Sequence, residues 1–428
     1  MRRNCIIVSP YFPPSTLAGV HRARHLAKHL PAAGWRPIVL SVDEAYHEER
    51  LDPGLAALVP ATVEVVKVPA LPASVCRPLG VGEISLRAWR PLRLALFKLL
   101  DTRQVGAVLI TGSPYYPMLL AGAIKHRFGV PVVLDFQDPW VSAWGARQAA
   151  WSKVGRSHRL ATWLEPRAVR AADFVTAVSD TQNAEMAARY PWLDRSRMAA
   201  IPIGCDPDDF TALRSLPADA REVARPQGAN ILSFVGTFMP RSEPLMRVVL
   251  RAFARCRELH PGAMAAVRLN FIGTSNQPND TMTYRVRPLA EEEGVADAVH
   301  EVPQRVPYLE ALSTLACSHG ILLIGSDEPH YTASKIYPAL MSGRPFLSLF
   351  HHASSAHAIL SEAGGGIALA FETQAELEAL AFRIASGLET LVTRPASLGR
   401  ADPAAFGAYE AHAIAGRFAE IFDSLADV

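Results

Sequence analysis

The chain has 428 residues, half of them hydrophobic and a fifth charged, and a formal net charge of +2. That length exceeds one ordinary core and predicts two domains. The near-neutral balance excludes broad nucleic-acid binding driven by electrostatics alone. The five cysteines (Cys5, Cys76, Cys205, Cys256 and Cys317) are scattered without the spacing of a metal knuckle or a redox motif. Free thiols in a reducing compartment are expected. No run reaches the roughly 18 apolar residues of a membrane span. The N-terminus enters an apolar strand at once and breaks at Pro10, unlike a secretory signal. A cytoplasmic protein is expected, with attachment to a membrane surface left open.

Short apolar runs at 5–9, 37–42, 63–68, 107–112, 131–136, 174–179 and 198–203 are near-continuous rather than alternating. That pattern predicts parallel strands covered on both faces. Between the first two, Val20, Ala23, Leu26, Ala27 and Leu30 share a helical face that Gly34 follows. A polar, proline-containing stretch from 206 to 230 reads as a connection. The alternation restarts at 231–236, 267–273, 299–303, 320–325, 345–350 and 366–371, with helices expected at 244–257, 308–318 and 408–425. The expected fold is α/β, with two doubly wound Rossmann-like domains in series and a ligand cleft between them. The expected divisions are 1–208 with a returning C-terminal helix at about 405–428, a linker at 209–229, and a second domain at 230–404.

In such sheets the chemistry belongs in the loops after the strands. Gly19, His21 and Arg22 lie where the first strand joins the first helix. Gly19 would let the backbone approach an acceptor and His21 and Arg22 could meet an anionic group there; the plain alternatives are a tight-loop glycine and solvated helix residues. Ser113 closes the strand ending at Thr111-Gly112 and lines the same mouth. Asp135 and Asp138 stand just past a buried strand, followed by Trp140, and two carboxylates there need pairing, hydrogen bonds or use. Both are candidate catalytic carboxylates; a loop clamp on backbone amides also suits Asp135, and an acceptor-side role as proton acceptor suits Asp138. In the second half, Gly236, Thr237 and Arg241 precede a helix with Ser242 as its expected cap, and Gly273 ends the next strand. Both glycines also fit ordinary strand-to-helix turns. Ser334, as a cap, and Lys335 and Ile336 open a helix that Gly343 ends, a setting that favours a phosphate. Glu328 is the nearby acid for ribose or sugar hydroxyls. Trp140, Trp144, Trp151 and Trp163 mix with Arg147, Lys153, Arg156, Arg159, Arg167 and Arg170. That region reads either as a surface for an anionic membrane or as a lid whose tryptophans pack inward.

The stretch 332–350, Thr-Ala-Ser-Lys-Ile-Tyr-Pro-Ala-Leu-Met-Ser-Gly-Arg-Pro-Phe-Leu-Ser-Leu-Phe, resembles the nucleotide-sugar-binding element of GT-B glycosyltransferases, in particular retaining family 4. Further likenesses are the opening loop with Ala18-Gly19, the Asp135-Phe-Gln-Asp-Pro-Trp140 run, the joint at 201–210 and the strand-end glycines Gly236 and Gly273. The second run is similar to a branch signature that has arginine at Gln137. The departures are specific. His330 and Pro338 stand where the family has paired glutamates, and Thr237 and Glu243 replace its usual phosphate-binding arginine and lysine. The resemblance implies a nucleotide diphosphate sugar on the second domain and a glycan, lipid-linked or small-molecule acceptor on the first. Arg241, Lys335 and helix amides would stabilise the leaving diphosphate. It further implies retention of anomeric configuration, no metal, and no cofactor beyond the co-substrate. Two alternatives keep the fold: a nucleotide-sugar 2-epimerase, or a non-catalytic relative that binds a partner or glycan.

Overall fold

The computed structural model describes residues 3–213, 228–275, 277, 279–328 and 334–426. His330 therefore lies outside the described residues. The chain divides into two compact units, residues 1–203 with 411–428, and residues 204–410.

The first unit is built on a parallel sheet of seven strands: β1 (Arg3–Val8), β2 (Trp35–Val42), β3 (Glu64–Val68), β4 (Val105–Gly112), β5 (Val132–Phe136), β6 (Phe174–Ala177) and β7 (Met198–Ala200). Their order is β3-β2-β1-β4-β5-β6-β7, so β1 and β4 flank the point where the winding reverses. β5 buries every residue, and β1 and β4 bury all but their first two, as near-continuous apolar runs must when helices cover both faces. On one face the helix Val20–His29 and the C-terminal helix Ala411–Ala426 pack Leu26, Ile414, Phe418 and Phe422 against the sheet. Trp35 meets Phe422 edge-on at 5.3 Å and donates its indole N–H to Asp423 at 3.1 Å. Each such buried aromatic contributes about 1.5–3 kcal/mol, which is how the C-terminal helix is held to a unit it joins last. The other face carries the helices Trp89–Thr102, Ala121–Phe128 and Lys153–Ala171 over a core that includes Leu96, Ile124 and Val169.

The second unit repeats the plan with six parallel strands: β8 (Asn230–Val235), β9 (Val267–Ile272), β10 (Val299–Val302), β11 (Gly320–Ile324), β12 (Phe346–His351) and β13 (Gly366–Phe371), in the order β10-β9-β8-β11-β12-β13. The reversal falls between β8 and β11. The helix Glu243–Leu259 buries Leu245, Val249 and Phe253 against this sheet.

Some local details differ from the sequence reading. The polar connection forms a helix, Pro207–Ala212, because the Asp206 side chain accepts from the Asp208 amide at 3.1 Å. The structure counts it with the second unit, and the remainder of the expected linker, 214–227, lies outside the described residues. Ser242 does not cap with its side chain. A one-turn 3₁₀ segment, Pro240–Ser242, leads into the helix and holds Ser242 in helical geometry.

Candidate functional site

In the first unit, three loops meet beyond the ends of β1, β4 and β5. Gln137 Nε2 donates to the Gly19 carbonyl at 3.3 Å, and a Cβ on Gly19 would come within 3.2 Å of the Ser113 carbonyl. The structure thus brings Gly19, exposed Ser113 and Gln137 together. Half-buried His21 lies beside them, its ring 5.9 Å from that of His25.

Arg22 is neither open to an anionic substrate nor a solvated helix residue. It is fully buried, and its Nε donates to Asp135 Oδ2 at 3.1 Å. Its terminal nitrogens donate to the carbonyls of Pro202 (2.8 Å) and Ile201, and its guanidinium lies 5.1 Å from the centre of the Phe418 ring. Asp135 is buried as completely and also accepts from Thr176 Oγ1 at 2.8 Å. Its burial outweighs the pull of Arg22 and Thr176 and holds its carboxyl above the ordinary range. The clamp expected of Asp135 therefore closes on side chains rather than on backbone amides. As placed, neither partner has surface for a substrate to touch, so the catalytic role for Asp135 and the acceptor-binding role for Arg22 do not fit their positions.

Asp138 differs from Asp135 in exposure and in partners. It is exposed, and its carboxylate has no hydrogen-bond partner among the described residues. The surrounding protein still pushes its carboxyl upward. Because the residue is open to solvent, screening limits that shift, and the exposure is the firmer fact. The loop around it is rigidly built. Tyr115 donates its hydroxyl to the Asp138 carbonyl at 2.9 Å and stacks on Trp140, with ring centres 5.3 Å apart. Trp140 also meets Tyr116 at 78°.

A residue without an assigned role in the sequence reading secures the far side of this loop. Glu165, buried in the middle of the helix Lys153–Ala171, accepts from the Val141 amide (3.1 Å), Arg189 Nη2 (2.9 Å) and the Tyr190 hydroxyl (2.8 Å). The signal was there, since Glu165 is the one acid in a strongly basic stretch.

In the second unit, β8 turns at Gly236, whose φ of +135° is open only to glycine without strain. A Cβ there would press within 3.3 Å of Lys335 Cδ. The sequence separates these residues widely, but the strand order β8-β11 sets their loops side by side. Lys335 Nζ sits 3.8 Å from the centre of the Phe234 ring, and no carboxylate pairs with it among the described residues. Burial alone lowers its pKa to about 7. Lys335 is thus a poised cation at the end of a parallel strand. Gly273, φ +74°, ends neighbouring β9, with its amide donated to the Val302 carbonyl at 2.8 Å. Half-buried Thr237 follows Gly236.

Four candidates here are placed otherwise than expected. Arg241 donates to Asp327 Oδ1 at 2.6 Å and to Glu328 Oε1 at 2.7 Å, so its charge is matched within the protein. The same bonds engage Glu328, the acid expected at ribose or sugar hydroxyls. Ser334 is exposed and makes no side-chain cap, because the helix Ile336–Met341 begins after Lys335. Ile336 points into the core, fully buried. Pro338 lies in the first turn of this helix, where its missing N–H is tolerated, and Gly343, φ +68°, follows the helix end.

The two winding reversals and the strand orders define the GT-B architecture, and the solved structures agree. Anabaena Alr3699/HepE, crystallised in complex with UDP-glucose, superposes with a TM-score of 0.63 at 14% identity, over 98% of this chain and 99% of that one. Residues 18–204 match the family described as "Glycosyl transferase 4-like domain". Two curated relatives are D-inositol 3-phosphate glycosyltransferases. That of Stackebrandtia nassauensis is 32% identical over 124 residues, and that of Acidothermus cellulolyticus is 29% identical over 163 residues. These matches cover 29% and 36% of this chain, and 27% and 35% of the relatives' own lengths.

Proposed function

We propose that the protein transfers a sugar from a nucleotide diphosphate sugar to a hydroxyl acceptor. The observation that carries this reading is Lys335, a half-buried cation without a carboxylate partner among the described residues, held against the Gly236 turn. Such a group favours an anion that brings the missing charge, and a diphosphate brings it where negative charge develops as the donor bond breaks. UDP-glucose in the complex of Alr3699/HepE, and the names of the curated relatives, support the same assignment.

Asp138 is the candidate acceptor-side carboxylate. It is accessible, without a hydrogen-bond partner for its carboxylate among the described residues and shifted toward proton acceptance, and the stacked Tyr115 and Trp140 hold its loop. Gly19 and Ser113 form the neighbouring wall. Retention of configuration and transfer without a metal belong to the proposal by resemblance, as does a glycan or lipid-linked acceptor met at a membrane face.

A thermal-shift series with UDP-, GDP-, ADP- and TDP-sugars tests the donor assignment. At least one is expected to raise the melting temperature, and that donor should then be consumed only when a hydroxyl acceptor is present. Failure of all four would overturn the proposal, and conversion of a donor without acceptor would replace transfer by epimerisation.

A further inference from the structure

We infer that the outer face of the helix Lys153–Ala171, with the tryptophans beside it, is a docking surface for an anionic lipid bilayer. The inference deepens the lipid-linked acceptor in the reading above. Arg156, Leu160, Trp163, Arg167 and Arg170 recur at helical spacing and are all exposed, so they form a single outward stripe. The opposite side buries Ala161, Leu164, Ala168 and Val169. The expected lid, with its tryptophans packed inward, is not what the structure shows. Trp151 is 83% exposed, Trp163 57% and Trp144 54%.

Charge decides what this face suits. From 139 to 171 the chain has six Arg or Lys and one acid, Glu165, which is buried. The whole chain carries a net charge of only +2, so this surface is locally far more basic than the molecule. Three tryptophans each hold an arginine over the ring: Arg159 over Trp151 at 5.2 Å, Arg167 over Trp163 at 3.7 Å, and Arg170 over Trp192 at 4.6 Å. Such exposed pairs are worth about 0.5–1 kcal/mol each, less than the roughly 1.5–3 kcal/mol gained by burying a large apolar side chain. Aromatic rings that seat at the interface while guanidinium groups meet lipid phosphates satisfy both needs.

The platform is preformed. Gly155 lies so close to the preceding loop that a Cβ would fall 2.1 Å from the Ala149 carbonyl oxygen, which pins the Trp151 turn to the helix. The helix Trp89–Thr102, on the same face of the sheet, exposes Leu94 beside Arg90 and Arg93. A protruding helix with rings at its rim suits a flat lipid surface better than a single nucleic-acid strand, which needs a groove.

Flotation of the full-length protein with vesicles tests the assignment. Binding is expected to vesicles of phosphatidylcholine with one-third phosphatidylglycerol, and it should weaken as salt is raised. Phosphatidylcholine alone should bind poorly. The triple variant R156Q/R167Q/R170Q removes about 1 kcal/mol per arginine, so partition should fall on the order of a hundredfold. W151S/W163S should also lower it, with unchanged circular dichroism and melting temperature because both sites are exposed. No flotation of the wild type, equal flotation on phosphatidylcholine alone, or wild-type flotation of both variants overturns the inference. So does single-stranded DNA competing fully with the vesicles. The thermal-shift series on the same proteins separates the two readings. Donor stabilisation without flotation sinks only the membrane surface, and flotation without donor stabilisation sinks only the transfer reaction.

Discussion

The two units place a basic residue at the same kind of position, a helix start beyond a parallel strand, and treat it in opposite ways. Arg22 in the first unit is closed off, bonded to Asp135 and two carbonyls beneath Phe418. Among the described residues, Lys335 in the second meets the face of Phe234 and the Gly236 turn and no carboxylate. A fully buried charge that the protein neutralises itself is architecture, whereas a half-buried one left without a counter-charge among the described residues favours a ligand that supplies it. One sheet plan thus provides a closed ion pair in one unit and, in the proposal above, an anion site in the other.

The sharpest way to break this contrast is Asp135→Ala. It leaves the Arg22 guanidinium buried without its counter-charge and should cost about 3–5 kcal/mol in denaturant unfolding. Arg22→Met combined with Asp135→Leu should recover much of that loss. A loss under about 1 kcal/mol for the single change would show that the pair is not a closed structural unit.

Lys335→Met should do the reverse. A charge-assisted bond contributes about 1.5–3 kcal/mol, so donor affinity by calorimetry should fall about 10- to 100-fold. The melting temperature should not fall, because a cation that is costly to bury has been removed. Unchanged affinity would move the diphosphate elsewhere.

The pH dependence sharpens the same point. Folding lowers Lys335 from its ordinary 10.5 to about 7, so the unfolded chain holds more protons between those values. The lysine's contribution therefore makes stability rise with pH across that window. Donor affinity should move the other way, weakening as pH rises from 6 to 9, because the anion prefers the protonated amine. Binding should take up a fraction of a proton near pH 7, measurable in buffers of different ionisation enthalpy. A flat profile in the wild type would refute it.

The smallest effect is expected at Arg241. It pairs with Asp327 and Glu328 in solvent, so Arg241→Ala should change stability by only about 0.2–1 kcal/mol and donor affinity by a few-fold at most. A loss as large as that of Lys335→Met would mean that the arginine leaves its carboxylates for the phosphates.

The strands of both sheets were legible because burial on two faces writes an unbroken apolar run into the sequence. Lys335 was legible for a related reason, since it follows such a run and opens a helical period. The partners of the charged residues were not legible. Arg22 meets a carboxylate 113 positions away, and Arg241 meets two some 86 and 87 positions away. No local pattern encodes those meetings; only the strand order does. The tryptophans misled in another way, because their size argues for a core unless the charges around them are counted.

The placement of Glu165 carries a consequence for the reaction coordinate of a lipid-linked substrate. Its helix bonds the Asp138 loop on the inner side, through the Val141 amide, and presents the Arg–Trp stripe on the outer side. A helix is about 10–12 Å across with its side chains. A sugar joined to a lipid headgroup would have roughly that span to cross from the bilayer plane to the carboxylate. If the proposed membrane docking holds, the helix would act as a ruler, setting how far a reacting hydroxyl must stand above the membrane.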